Sequence, residues 1–509
     1  MARLLPSPGA FRRPPFMSSA GRLIPLLAAA LALIAPPLTQ AGVADVSRAE
    51  ALRALDRAEA ALNGSGSTPG TQALSAEAVG SREATIALRD LALALPALTG
   101  AERRRAAGLL ARPTDPDRGD YFGPEADASP ICNARFCVHW SRREGDQPLS
   151  QGYIDQVVAA ADETHAVENG ELGWREPKPD GSRGSRAGEG AEGQTDVYIA
   201  GLAPRLYGFA STDPGQNGAR RSSYLVVDND YAGFSGAPVE LMRATVAHEY
   251  NHVLQYGYDT FEQVWMFEST ATWMEEQVYP GVDDYLNYLS TFAATSQIPL
   301  TKPEFKVYGS AVWNHWLTAR LGAETVRDTW ARSTDVSPRH FAVAAYGRAI
   351  EENGGRSFSR QFGKFAIETS EWIGSNAFPD AESYPDIRRQ GTLRPGRRAK
   401  RFRLDNTAYR LLRVRARGSG EIRLSVKAER GTRSVIALVG RDGPRTSNDV
   451  TVRSRFLGTG GRRILRLMGL KSYERVTAVV INADGRGRFK PSGRLRYRAD
   501  DSDYRLKLR

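Results

Sequence analysis

Two cysteines and six histidines are few for 509 residues. The cysteines cannot build a disulfide-dense scaffold or a four-thiolate metal centre. Lysine is scarce too, nine residues against 60 arginines. Beyond the first 41 residues no apolar run approaches the ~20 needed to cross a bilayer, and no internal repeat of fixed period is present, which excludes a repeat array. The hydrophobic share of 41% and charged share of 25% are ordinary, excluding a wholly disordered chain and a multi-span membrane protein. The length exceeds one compact core and predicts two or three domains.

Residues 1–41 begin with Arg3, Arg12, Arg13 and Arg22, followed by an apolar run of 13 residues from Leu23 to Ala35, then Pro36, Pro37 and small residues. The run is too short to span a membrane, and the pattern predicts a secretory signal peptide cut near residue 41 or 44. A secreted or extracytoplasmic chain follows. In that compartment Cys132 and Cys137, with four residues between them, are expected to close a small disulfide loop. Two zinc thiolates are the alternative, but no second thiol pair or histidine cluster completes that set.

Charge divides the remainder. From Gly391 to Arg509 there are 32 basic and 10 acidic residues, a net +22, against −11 before Gly391. Residues 42–118 are rich in Ala, Leu, Arg and Glu. Ser47 and Glu50 are spaced as a capping box, and helices are expected to about Leu62 and from Ser81 to Leu95. This helical N-terminal segment is either a removable pro-region or a helical apron. Residues 119–390 mix strands (Cys137–Trp140, Asp196–Ala200, Ser223–Val227) with a helix from Gly152 to Glu168 and a Gly- and charge-rich loop from Pro177 to Gln194. After Ala237 the pattern turns helical. Beyond Arg401 it switches to period two, with strands at Leu412–Ala416, Ile422–Ala428, Val435–Val439, Ile464–Met468, Val476–Ile481, Leu495–Tyr497 and Tyr504–Leu508. Residues 395–509 therefore read as a basic, antiparallel β-sandwich of seven or eight strands, and the whole chain as α+β.

The chemistry concentrates in His248-Glu249-Tyr250-Asn251-His252. Pro238 and Gly257 bound a helix from about Ala237 to Tyr256. Residues four apart share a helix face, so both imidazoles can reach one zinc ion, and Glu249 stands beside them as a general base. A catalytic zinc takes three protein ligands and leaves a position open for water. Gln255 and Tyr258 stand where a metzincin has glycine and histidine, which argues against that class. The next helix carries Glu268, fifteen residues beyond His252, enough for a turn and an antiparallel return. Glu275 lies two turns further and is expected to support a ligand from behind. Glu262 is a weaker rival for the third position.

At these residues the chain resembles the gluzincins, zinc peptidases built on H-E-x-x-H and a glutamate from the following helix. Glu268 to Glu275 looks like the E-G-x-A-x-x-x-E run of the aminopeptidase N-like branch, with Ser269 for the glycine. Tyr308-Gly309-Ser310-Ala311 resembles that branch's Y-x-K-G segment, with Ser310 in place of glycine. The region from Val46 through Tyr285, including Leu109 to Pro113 and Asp196 to Tyr198, is similar to a group of secreted bacterial metalloproteases of the same clan. The resemblance implies a zincin-like domain of mixed sheet and active-site helices, with one Zn2+ on His248, His252 and Glu268, Glu249 as base and Tyr308 as donor to the oxyanion. It implies hydrolysis of a protein or peptide substrate. No G-x-M-E-N motif precedes the helix and the spacing to Glu268 is short, so endopeptidase action is preferred.

Other residues carry less. His315 between two tryptophans reads as a packing residue, and His139, His165 and His340 lack ligand-like company. Asp228, Asn229, Asp230, Asp283 and Asp284 read as turn formers rather than a calcium loop. The arginine-rich sandwich could hold an anionic polysaccharide or membrane surface; nucleic acid is not expected, for want of stacking aromatics. The competing reading is a catalytically silent, extracellular zincin-fold protein that binds anionic surfaces through this domain.

Overall fold

The computed structural model describes residues 46–63, 84–116, 122, 130–141, 149–181, 183–184, 193–303, 305–335, 341–374, 377–378, 380–416, 420–444, 449–486 and 501–509. The signal peptide, the cleavage site, His340 and the strand expected at Leu495–Tyr497 lie outside them.

The N-terminal segment folds as three helices: α1 (Arg48–Leu62), α2 (Ala84–Ala94) and α3 (Gly100–Leu110). Ser47 and Glu50 form the capping box at α1, each side chain bonded to the other's backbone N–H. A mixed sheet and its helices follow: β1 (Ile131–Cys132), β2 (Phe136–Trp140), α4 (Gln151–His165), β3 (Thr195–Ala200), β4 (Gly208–Thr212) and β5 (Ser223–Asp228). Strand order is β1-β2-β3-β5-β4; β2, β3 and β5 are parallel and β4 returns antiparallel at the edge. Strands β2, β3, β4 and β5 are buried at every position, as expected of a sheet covered on both faces. Val197, Ile199, Leu225 and Val227 face α4 and the later helices, whereas Tyr198, Ala200, Tyr224 and Val226 face α1 to α3. The N-terminal helices are thus one of the two layers flanking the sheet.

The helical half comprises α5 (Pro238–Tyr258), α6 (Val264–Val278), α7 (Leu286–Ala294), α8 (Lys306–Gly309), α9 (Ala311–Leu321), α10 (Glu324–Arg332), α11 (Ala342–Glu352) and α12 (Phe358–Thr369). Helix α5 outruns the expected end at Tyr256, since Gly257 stays helical and the last turn closes at Tyr258.

Nine strands follow among the described residues: β6 (Thr392–Leu393), β7 (Lys400–Leu404), β8 (Ala408–Val414), β9 (Ile422–Ala428), β10 (Ser434–Arg441), β11 (Val450–Leu457), β12 (Gly461–Leu467), β13 (Arg475–Asn482) and β14 (Ser502–Leu508). They form two sheets, β11-β10-β13-β8-β6 and β12-β9-β14-β7, antiparallel except for the short β6–β8 pair. A shared core of Leu412, Leu424, Ile436, Val480 and Leu506 lies between them. The outer face of the five-stranded sheet is buried as well. Tyr409, Leu411, Val435, Val479 and Ile481 belong to the same core as Phe362 and Phe365 of α12. The step in charge near Gly391 is therefore no break in packing, and Val43–Arg509 is one compact unit. No helix of the described residues is long and apolar enough to cross a membrane.

Candidate metal centre

Helices α5 and α6 run antiparallel, since Gln255 meets Phe267, His252 meets Glu268 and His248 meets Glu275. This pairing gathers one ligand atom each from His248, His252 and Glu268 within 4.8 Å of one another. Glu268 Oε2 lies 3.4 Å from Nε2 of His248 and 3.7 Å from Nε2 of His252. The imidazoles stand edge to face, with centroids 4.7 Å apart. His252 Nε2 and both Glu268 oxygens are buried and have no hydrogen-bond partner among the described residues. Buried polar atoms are normally satisfied, so a cation is the group this set fits. Two imidazole nitrogens and one carboxylate oxygen are a donor set suited to zinc.

The other nitrogen of each ring is engaged from behind. His248 Nδ1 is 2.7 Å from Glu275 Oε1, and His252 Nδ1 is 2.8 Å from Gln255 Oε1. An amide oxygen only accepts, so His252 carries a proton on Nδ1, and once the ring is neutral Nε2 is the nitrogen left with a lone pair on the Glu268 side. Gln255 is held in turn, donating to Asn251 Oδ1 at 2.6 Å and to the Phe267 carbonyl at 3.1 Å. Asn251 donates to Glu168 at 2.8 Å, in the π-turn Ala166–Glu171 that prolongs α4. Burial pushes the Glu168 carboxyl well above its usual range, against the bond from Asn251. For Glu268, burial acts upward too, but the facing His252 and His248 outweigh it and hold the carboxyl at about 2. Burial lowers the His252 imidazolium; Glu268 outweighs that and leaves it above its ordinary value.

Glu249 sits on the same turn and is held by the N-terminal layer. Thr85 of α2 donates to Glu249 Oε2 at 2.9 Å while accepting from the Ala210 N–H of edge strand β4 at 2.9 Å. Because the Ala210 N–H occupies a lone pair of the hydroxyl, its proton is left for the carboxylate. Gly208 permits this closeness: a Cβ there would stand 2.7 Å from both Thr245 Cγ2 and the Val226 carbonyl. The Tyr308 ring lies 6.5 Å from that of His248, packed between Tyr288 and Phe305.

Glu262 is buried but outside the cluster. It caps the Gln263 N–H at 2.7 Å, and burial and Asp259 push its carboxyl well up. His315 packs 5.1 Å from the Tyr285 ring and is lowered to about 4 by burial. His139 bonds Asp196 at 2.6 Å, and His165 bonds Glu176 at 3.0 Å. Asp228 takes the N–H groups of Leu202 and Tyr231, a turn arrangement. Cys132 and Cys137 are joined as a disulfide on the β1–β2 hairpin. Sequence reading missed Thr85 and Gln255. Only the i, i+3 spacing of Gln255 from His252 signalled the latter; nothing local signals Thr85, 164 positions from Glu249.

Residues 236–378 match a family model described as a family of unknown function, DUF6055. That span contains His248, Glu249, His252, Glu268, Glu275 and Tyr308. No curated protein matches the chain. Among solved structures it is similar to the pre-peptidase C-terminal domain of a collagenase from Bacillus anthracis, at 11% identity, covering 25% of this chain and 100% of that one, with a TM-score of 0.18. So low a score carries no argument about fold or activity.

Proposed function

We propose that this chain is a secreted zinc peptidase of the gluzincin type, with a zincin-like catalytic body, that hydrolyses internal peptide bonds. The observation that carries the reading is the convergence of His248, His252 and Glu268 within 4.8 Å, with Glu249 on the same helical turn. His248, His252 and Glu268 would hold the ion, with Glu275 and Gln255 fixing the rings. Bound zinc supplies a Lewis acid and brings the pKa of a water from 15.7 toward about 7.

The chain's own groups do the rest. Glu249 accepts a proton from the attacking water and delivers it to the amine as the C–N bond breaks, so the water's oxygen ends on the new carboxyl. Thr85 fixes the orientation of the Glu249 carboxylate. Tyr308 donates to the oxyanion that develops on the scissile carbonyl, a role typically worth about 3 kcal/mol.

Metal analysis and chelator-sensitive cleavage of casein test this. Glu249→Gln is expected to keep zinc and lose most turnover, and Glu268→Ala to lose zinc. Undiminished cleavage by Glu249→Gln would rule the mechanism out. One observation favours a second reading, a metal-stabilised fold without turnover: His248, Glu249, His252 and Glu268 have no solvent exposure. On that reading chelation lowers the melting temperature of a chain that never cleaves casein.

A further inference from the structure

The outer face of the four-stranded sheet departs from what pairing energetics favour. Strands β9 and β14 alternate strictly: even-numbered residues fill the sandwich core, and the odd-numbered ones point outward. The register then places Arg401 of β7 opposite Arg505 of β14, Arg505 opposite Lys427 of β9, and Lys427 opposite Arg462 of β12. Four exposed cations make one unbroken row across all four strands. With strands ~4.8 Å apart, the row runs about 14 Å. Four residues along β9 and β12, Arg423 faces Arg466, and this pair shares Glu421. Like charges directly opposite one another work against strand pairing; the acidic residues of this face lie to either side of the row, Asp503 opposite Arg403 and Glu421 beside Arg423 and Arg466, and leave the row itself wholly cationic.

Apolar side chains stand among these cations. Ile464 is 51% and Met468 72% exposed, the exposed large hydrophobics of the described residues. Ile464 lies on β12 between Arg462 and Arg466, opposite Ser425, which is opposite Lys507. Met468 follows on the same side, just past the strand end. A field of guanidinium groups suits phosphodiester headgroups by charge and by its forked donors. Two exposed apolar side chains suit the acyl boundary beneath them. A soluble anionic polymer would use the cations and leave Ile464 and Met468 without a role.

We infer that this sheet face docks the protein onto an anionic phospholipid surface, the cations taking the headgroups and Ile464 and Met468 entering the interface. The inference does not rest on the peptidase reading, since none of its residues touches the metal centre.

Sedimentation of the purified chain with vesicles tests it. The chain is expected to pellet with vesicles of phosphatidylcholine mixed with phosphatidylglycerol, and not with phosphatidylcholine alone. Arg505→Glu should weaken binding at least tenfold, because it loses one cation and neutralises its neighbours. The same variant should melt no lower than the parent, because it replaces two like-charge pairs with opposite ones; this separates lost binding from lost folding. Ile464→Ser with Met468→Ser should weaken vesicle binding several-fold and leave heparin binding unchanged. Three results overturn the inference: no pelleting with the anionic vesicles, vesicle binding untouched by Arg505→Glu, or vesicle binding untouched by the serine pair. The last, together with tight heparin binding, would identify the face as a polysaccharide site instead.

Discussion

Glu275 Oε1 stands 2.7 Å from Nδ1 of His248, so a carboxylate two turns beyond Glu268 grips one imidazole from the side away from Glu268. Such an outer carboxylate fixes the tautomer and raises the basicity of the nitrogen facing the metal. Glu275→Gln keeps an acceptor but loses the charge, and Glu275→Ala loses both. Zinc affinity is expected to fall about 10-fold for the glutamine and up to 100-fold for the alanine. Competition against a colorimetric chelator reads both, and equal affinity in all three proteins would remove Glu275 from the centre.

Thr85 should behave as a positioning residue for Glu249. Its hydroxyl proton favours the charged carboxylate, so losing it raises the Glu249 pKa. Thr85→Val is expected to reduce kcat about 10-fold, leave zinc content and KM unchanged, and move the acid limb of the rate profile to higher pH. Thr85→Ser should restore both. A valine variant with an unmoved acid limb would reduce Thr85 to a packing role.

Sequence pattern exposes what repeats locally and hides what is assembled from afar. The Ser47–Glu50 box, the strand at Val476–Ile481 and the helix around His248 each announce themselves through caps or periodicity. Strand β4 did not, because Gly208 and Ser211 interrupt its pattern and both of its faces are covered. Strands β7 and β11 were missed for the opposite reason: their residues are largely polar or partly exposed, and Arg401, Arg403, Arg453 and Arg455 mask them. The cluster of His248, His252 and Glu268 was legible because two members share one helix and the third comes from the next. Thr85 belongs to a layer that meets Glu249 only after the sheet has formed, and the row through Arg505 needs the pairing register.

The metal-free protein should show a pH window set by the Glu268–His252 pair. Glu268 is held below its ordinary 4.5, so its contribution is present above that value and lost as pH falls toward about 2. His252 is raised above its ordinary 6.5, so its contribution is full below that value and lost as pH rises through the folded pKa. Both terms are complete between 4.5 and 6.5. Zinc needs His252 neutral and displaces its proton, so the stabilisation it confers should grow as pH rises above 6.5. Melting curves at pH 5.5 and 8, with and without zinc, check this. A zinc-induced shift equal at the two values would contradict the assigned pair.

Arg112, just past α3, ties the N-terminal layer to the sheet by charge. It is fully buried, with Nε 2.6 Å from Asp213, Nη2 2.6 Å from Asp180 and Nη1 on Asp196. Burial already raises Asp180 to about 7 against the pull of Arg112. Arg112→Met removes the cation bonded to all three carboxylates and leaves them buried together. Breaking a buried ion pair from one side costs about 3–5 kcal/mol. The loss should also depend on pH. With the cation gone, Asp180 takes up its proton more readily in the folded state, so the deficit should shrink as pH falls toward 4 and widen toward 8. Urea denaturation of the parent and Arg112→Met at those two values reads the difference. A deficit that is small, or the same at both, would mean the carboxylates find other partners and that Arg112 is not what ties the helical layer to the sheet.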